Sequence, residues 1–475
     1  MKILFSSIMI AVAIGCSQKE SNTVTLTINS DLEKGQPVKI TSYKNLEELI
    51  LAEGKLDSLG QALIEIKMDN PTVAYLRIGD KYSEVYLTPG NKMQVSAKQS
   101  GTRIKFFEDG ADVNNYLSEM MVLVETAKMR GGNYITQLDL EHFLSRLDSI
   151  KNELTHFHNQ YVDSVKFPQR VLSFLEKKKN LKSLLLKQEY AFLLLNNSFD
   201  TKAQEPLPEA FVRVVDEVSF HKEFIELGVF EYDFLTQLYI RNKFQDNYLR
   251  NTDGEDKYKH LASKTDKAIV EAKIEPDFKE YLQVKNILYF LTMEGITPSN
   301  DSLFKRFQNS IPESDYLPSM QKVYNEWLAI GAGKAAPDFS GTTIDGKTIH
   351  LSSLKDKIVF VDVWATWCAP CKEQLPDLKR IQAQFKNENG VEFLYVSIDR
   401  DKDAWGKMVK NDKFWKGLHI IQSENEIEAF WKAYKIAGVP AYMLIDREGV
   451  IVDAKALRPS EGKLAEQIRA LLEKI

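Results

Sequence analysis

The chain has 475 residues, of which 44% are hydrophobic and 27% charged, and its formal net charge is −5. A chain of that length exceeds one ordinary core and leads one to expect about three domains, and its composition is that of a soluble globular protein. So slight an excess of acid over base argues against a nucleic-acid binder and points to no charged polymer as partner.

At the N-terminus Lys2 precedes a mostly apolar stretch, Ile3 to Ile14. A helix of that length rises about 18 Å, well short of the ~30 Å hydrocarbon core, so residues 1–15 read as a signal peptide rather than a membrane span. The stretch ends in Ala13-Ile14-Gly15-Cys16, which resembles the lipobox of bacterial lipoproteins. That resemblance implies cleavage before Cys16 and a lipid on its sulfur, with 16–22 as a tether. The protein would then sit outside the cytoplasm, facing the periplasm or the cell surface, anchored to a membrane of the bacterial envelope. The alternative takes Ala11-Val12-Ala13 as an ordinary cleavage site and leaves Cys16 a free thiol.

Residues 23–110 alternate with a period of two in short runs. Thr23 to Ile28, Val38 to Ile40, Ala62 to Ile66, Val73 to Ile78 and Val85 to Leu87 are expected strands of a small all-β domain, broken at Gly79-Asp80 and Pro89-Gly90-Asn91. From 111 to 330 the period becomes helical, as in Leu140, Phe143, Leu144, Leu147 and Ile150. Further helices are expected near 209–226, 232–249, 256–273, 276–294 and 315–330. His156-Phe157-His158 are expected to be partly exposed helix histidines, since positions two apart on a helix diverge. The aromatic residues here, among them Tyr190, Tyr232 and Tyr239, are expected in the core.

Residues 331–336 read as a linker into a last domain, 337–475. Phe339 to Leu351 predicts a hairpin turning at Asp345-Gly346, and Ile358 to Trp364 a buried strand leading into Cys368-Ala369-Pro370-Cys371. A helix over about 371–387 and a strand at Val391 to Ile398 complete a βαβ unit. A helix near 403–411, a strand over His419 to Gln422, a helix ending near Tyr434, antiparallel strands Tyr442 to Asp446 and Val450 to Ala456, and a terminal helix follow. The whole is a multidomain protein: a small all-β domain, an α-helical domain and an α/β domain.

A Cys-x-x-Cys between a buried strand and a helix is a specific arrangement. Unpaired N–H groups and the positive end of the peptide dipoles at the helix start stabilise a thiolate on the first cysteine, and a thiolate is the attacking species in disulfide exchange. Cys368 is therefore the expected nucleophile, and Cys371, one turn on, the thiol that resolves the mixed disulfide. With only three cysteines in the chain and no histidine cluster nearby, a structural zinc is not expected, and no cofactor beyond this dithiol is implied.

Val361-Asp362-Val363-Trp364-Ala365-Thr366-Trp367-Cys368-Ala369-Pro370-Cys371 resembles the active-site segment of thioredoxins, and Gly438-Val439-Pro440 resembles their cis-proline loop. The hairpin at 339–351 and the inserted strand and helix before that loop resemble the TlpA and ResA branch of envelope-anchored disulfide reductases. The resemblance covers roughly 335–475. It implies a thioredoxin fold, protein disulfides as substrates, and an upstream thiol-electron donor in the membrane. It further implies that Pro440, if cis, exposes the Val439 backbone to an extended substrate strand beside Cys368, with Trp367 flanking the nucleophile. Pro376 is expected to kink the active-site helix. The β-rich region is similar to a module of unassigned role that precedes thioredoxin domains in some envelope lipoproteins.

That branch usually carries glutamate where this chain has Gln374, and often asparagine where it has Asp362. Asp362, buried beneath the cysteines, is accordingly expected to take the proton-transfer role, with its pKa raised by burial, while Glu373 lies on a solvated face. A peroxidase would need a threonine or serine where Ala365 stands and a proline where Val361 stands. Oxidases of the envelope favour histidine between the cysteines, so Ala369-Pro370 favours a reductase over an oxidase or isomerase. The non-enzymatic alternative is a lipid-anchored binding or scaffold protein with an accessory thioredoxin module.

Overall fold

The computed structural model describes residues 22–44, 47–197, 218–245, 248–249, 260–410 and 416–473. Cys16 and the leader before it lie outside these residues, as do parts of the helices expected near 209–226 and 256–273. The chain forms two compact units, one up to Lys243 and one from Phe244 onward. Among the described residues no helix is long and apolar enough to cross a membrane.

The first unit opens with eight strands in two four-stranded sheets. β1 (Thr23–Ser30), β4 (Gln61–Lys67), β7 (Lys92–Ala97) and β8 (Ile104–Glu108) lie in the order β4-β1-β7-β8, and β2 (Pro37–Lys44), β3 (Glu47–Lys55), β5 (Thr72–Ile78) and β6 (Lys81–Leu87) in the order β3-β2-β5-β6. Alternate residues such as Val24, Leu26, Ile28, Ile40, Leu76 and Val95 form one core between them. The charged sequence of β3 masked a strand at the edge of its sheet, and β7 and β8 were likewise not among the expected strands.

Among the described residues five α-helices follow: α1 (Ala111–Lys128), α2 (Leu140–Ser164), α3 (Gln169–Asn197), α4 (Lys222–Leu227) and α5 (Phe230–Ile240). α1 covers an edge of each sheet with adjacent asparagines. Asn114 Oδ1 accepts from the Tyr86 N–H at 2.6 Å, and Asn115 Oδ1 accepts from the Phe106 N–H at 2.9 Å. Side-chain amides thus stand in for the missing neighbour strands of β6 and β8. The histidine pair departs from expectation: His156 is exposed, but His158 is buried, with Nδ1 2.8 Å from the Tyr116 hydroxyl and Nε2 2.9 Å from Glu176. α2 turns that side toward α1 and α3, which helical spacing alone does not reveal.

The second unit begins with helices α6 (Leu261–Glu271), α7 (Pro276–Glu294), α8 (Pro298–Ser310) and α9 (Leu317–Ala329). α8 was not expected, although Thr297 accepting from the Asn300 N–H at 3.2 Å, with Pro298 in the first turn, is a strong start signal. The expected linker is not free, since the N–H groups of Gly333 and Ala336 donate to Ile451 and Gly449 at 2.8 and 2.9 Å.

Beyond it a seven-stranded sheet runs β10-β9-β13-β12-β11-β14-β15. Its strands are β9 (Ser340–Thr342), β10 (Thr348–His350), β11 (Ile358–Trp364), β12 (Val391–Ser397), β13 (Leu418–Ile421), β14 (Ala441–Ile445) and β15 (Ile451–Asp453). β11 pairs parallel with β12 and antiparallel with β14, so it is central, and all seven of its residues are buried. Helices α10 (Ala369–Glu373), α11 (Leu375–Gln384), α12 (Lys402–Val409), α13 (Glu424–Tyr434) and α14 (Leu464–Leu472) complete a thioredoxin fold. The multidomain class read from the sequence therefore holds.

Candidate active site

β11 delivers the chain into the centre of the domain and stops at Trp364. Beyond it the backbone turns, with the Cys368 N–H donating to the Ala365 carbonyl at 3.0 Å, and α10 begins. Cys368 is the capping residue of that helix, with φ −78° and ψ 96°, and its Sγ accepts from the Cys371 N–H at 3.2 Å. The first sulfur therefore occupies the position where an unpaired N–H group favours negative charge. Cys368 and Cys371 are joined in a disulfide with their Cα atoms 5.3 Å apart. Each is only 3% exposed, so accessibility does not separate their roles in this oxidised state; the helix N–H does.

The two helical pieces replace the single expected helix. Pro376 lies in the first turn of α11, and the chain breaks at Gln374 instead of bending smoothly. Gln374 turns its side chain away along the surface, where Oε1 accepts from the Ser460 N–H at 3.1 Å. Glu373 is exposed.

Asp362 sits in the middle of β11, in register with Tyr395 on β12 and Tyr442 on β14. It is 3% exposed, and its Oδ1 has no hydrogen-bond partner. Burial pushes its pKa up from 3.8 to about 8. A carboxyl group near that value is neutral in most molecules at pH 7 and gives or takes a proton over the range in which thiols titrate.

Val439-Pro440 is a cis peptide bond. Ala441, the next residue, pairs with Val363, so the cis proline lies level with the end of β11 where the active-site loop begins. Val439 and Pro440 are half-buried, and Trp367 is 65% exposed directly before Cys368. Among the described residues no group of three or more His, Cys, Asp and Glu side chains is placed to hold a metal ion.

Reading the sequence alone missed Asp399. It follows β12 and is 3% exposed. Its carboxylate accepts from the Thr366 N–H at 2.9 and 3.1 Å, from the Thr366 hydroxyl at 2.7 Å and from the Ser397 hydroxyl at 2.8 Å. On its other side the Thr366 carbonyl accepts from Lys372 Nζ at 3.2 Å. Asp-Arg-Asp after a strand reads as an ordinary helix start, and nothing in its spacing ties it to the cysteines.

The family model described as Redoxin matches residues 331–468. The thiol-disulfide oxidoreductase ResA of Bacillus cereus is 32% identical over 143 residues, 30% of this chain and 78% of that protein. ResA of Bacillus subtilis is 32% identical over 137 residues, which is 27% of this chain and 72% of that protein. The chain belongs to the ResA family of thiol-disulfide oxidoreductases. The match lies in the C-terminal domain, which carries the dithiol, and makes the protein an enzyme of that class. Among solved structures, the thioredoxin domain of a thiol-disulfide oxidoreductase from Bacteroides vulgatus is 29% identical, covering 30% of this chain and 96% of that one with a TM-score of 0.27. The fold assignment rests on the strand order and the family match.

Proposed function

We propose that the enzyme reduces disulfides of protein substrates outside the cytoplasm, using the Cys368–Cys371 dithiol, and that a lipid on Cys16 holds it at a membrane face. The observation that carries the chemistry is the Cys371 N–H directed at Cys368 Sγ at the start of α10. In the reduced enzyme the Cys368 thiolate attacks a substrate disulfide. One sulfur–sulfur bond forms, the substrate's breaks, and one substrate thiolate leaves. Asp362, as carboxylate, takes the Cys371 proton. The Cys371 thiolate then attacks Cys368, restoring the internal disulfide and releasing the second substrate thiol. Two electrons pass from the dithiol to the substrate, and a membrane thiol-electron donor returns them.

Three features support the details. Ala369-Pro370 places neither charge nor histidine between the cysteines to stabilise the reduced form, which favours the reducing direction. The cis proline and exposed Trp367 flank the turn that carries Cys368, where an extended substrate backbone would lie. The lipid anchor is supported by Ala13-Ile14-Gly15-Cys16 after its apolar stretch. In cells, Cys371→Ala accumulates mixed disulfides with substrate proteins and Cys368→Ala accumulates few; the reverse pattern would exchange the two roles. Intact-mass analysis of the membrane fraction finds Cys16 as a lipid-bearing N-terminus, and an unmodified N-terminus at Ile14 would exclude the anchor.

A further inference from the structure

We propose that Asp399 is a positioning residue for thiol-disulfide exchange: by holding Thr366 it fixes the turn that seats the Cys368 sulfur on the Cys371 N–H. This deepens the reading of Cys368 as the attacking thiol and rests on it.

The alignment of that sulfur depends on the turn before it. Cys368 keeps its extended conformation only while the turn closed by its own N–H and the Ala365 carbonyl stays in place. The sheet cannot supply this hold, because the last ladder bond, from the Ile398 N–H to the Trp364 carbonyl at 3.0 Å, ends one residue before the turn. Asp399 takes over there. Its carboxylate receives both the N–H and the hydroxyl of Thr366, while Lys372 on α10 donates to the carbonyl of the same residue. One residue is thus fastened on one side to the end of β12 and on the other to the helix that begins with the active cysteine. Asp399 is itself immobilised, buried and held by Ser397, whose hydroxyl both donates to its carboxylate and accepts its N–H at 3.1 Å. Charge-assisted hydrogen bonds of this kind are roughly twice as strong as neutral ones and are directional.

Charge and position act on Cys368 in opposite senses. A carboxylate near the sulfur disfavours a thiolate, whereas a turn that keeps the sulfur on its N–H favours one. Asparagine at 399 still offers an acceptor for the Thr366 N–H but carries no charge, and alanine offers neither. Asp338 serves as a control. It receives the N–H and hydroxyl of Ser352 at 2.8 and 2.9 Å in the same way, but on the β9–β10 hairpin at the far edge of the sheet.

The test uses the full-length chain, reduced and treated with iodoacetamide between about pH 5 and 9, with the modified cysteine mapped by mass spectrometry. Asp399→Ala is expected to slow Cys368 alkylation about tenfold below its titration midpoint and move that midpoint upward. Asp399→Asn should stay within about twofold of wild type, and Asp338→Ala should match it. Thr366→Val keeps the side-chain shape and the N–H but loses the hydroxyl bond, so it carries the test if Asp399→Ala fails to fold, with an expected slowing of about threefold. Alkylation as fast as wild type in Asp399→Ala, or in Thr366→Val when that variant carries the test, overturns the proposal. Faster alkylation in both Asp399 variants overturns it too, because charge and not position would then be acting. Alkylation of wild type first at Cys371 defeats the nucleophile reading and the proposal with it, whereas alkylation at Cys368 that ignores Asp399 defeats only the positioning role.

Discussion

Each unit of this protein encloses a carboxyl group, Glu231 in the first and Asp362 in the second, and the two are held in opposite ways. In the first, Lys178, 0% exposed, donates to Glu84 at 2.5 Å and to Glu231 at 2.6 Å, while Lys182 and the Tyr75 hydroxyl complete the set around Glu231 at 2.5 and 2.8 Å. Burial alone would raise the Glu231 pKa, but the two lysines outweigh it and hold the group well below its usual range. Glu84, buried and facing Glu231, is held above its usual range. In the second unit Asp362 is equally enclosed, with burial as the one influence on its titration and Oδ1 unpartnered. A buried carboxyl given two cations, as Glu231 is, stays ionised and serves the fold. One left with an unpartnered oxygen, as Asp362 is, is held neutral by burial at a cost to stability.

The sharpest way to break this contrast is to make the first unit resemble the second. Lys178→Met removes the shared cation and should destabilise the first unit by about 3–5 kcal/mol, since Glu84 loses its ion-pair partner and Glu231 one of its two lysines in a low-dielectric interior. Urea unfolding followed by hydrogen exchange in its strands measures this. A loss under about 1 kcal/mol would show the network to be dispensable.

Asp362→Asn probes the other side. In the folded enzyme the carboxyl stays neutral up to about pH 8, whereas unfolded it ionises above its ordinary 3.8. Its contribution to stability is therefore complete below the unfolded pKa and is lost as pH rises through the folded one. Asparagine does not ionise, so the variant should gain on wild type steadily from about pH 4 to pH 8, reaching on the order of 5 kcal/mol. Thermal unfolding of the oxidised enzymes across that range checks the sign, and a difference independent of pH would show that Asp362 does not titrate as described.

The same substitution should slow resolution of the mixed disulfide on the order of 100-fold near pH 8, the lower range for loss of a general base. The wild-type rate should rise with pH up to about 8 as the carboxylate forms. The first attack by Cys368 should change less. Stopped-flow reduction of a model disulfide separates the two steps. Glu373→Gln, on an exposed position, should stay within about twofold throughout. If that variant is the slow one and Asp362→Asn behaves as wild type, the acid–base role lies with Glu373.

What could be read in advance follows the range of the interaction. The dithiol, the strand before it and Pro440 were legible because each is a local pattern: an unbroken apolar run, a Cys-x-x-Cys at its end, a Gly-Val-Pro before another strand. Asp362 was legible as well, since a lone acid inside an apolar strand has nowhere else to point. Lys178 was not. Glu176-Lys177-Lys178-Lys179 reads as a solvated helix face, and only α3 packed on α2 and α5 turns the middle lysine inward.

By itself, then, the sequence determined the succession of β-rich, helical and α/β regions, the thioredoxin fold of the last 140 or so residues and the place of the Cys-x-x-Cys at the head of a helix, because these depend on periodicity and on neighbours along the chain. The tertiary structure alone decided that Asp399 reaches Thr366 across 33 residues, that Gln374 is spent on Ser460, that α1 seals two sheet edges with Asn114 and Asn115, and that His158 is buried beside Tyr116. A polar side chain has the same local signature whether it meets water or a distant partner. Which of the two it meets is set by the faces that packing brings together.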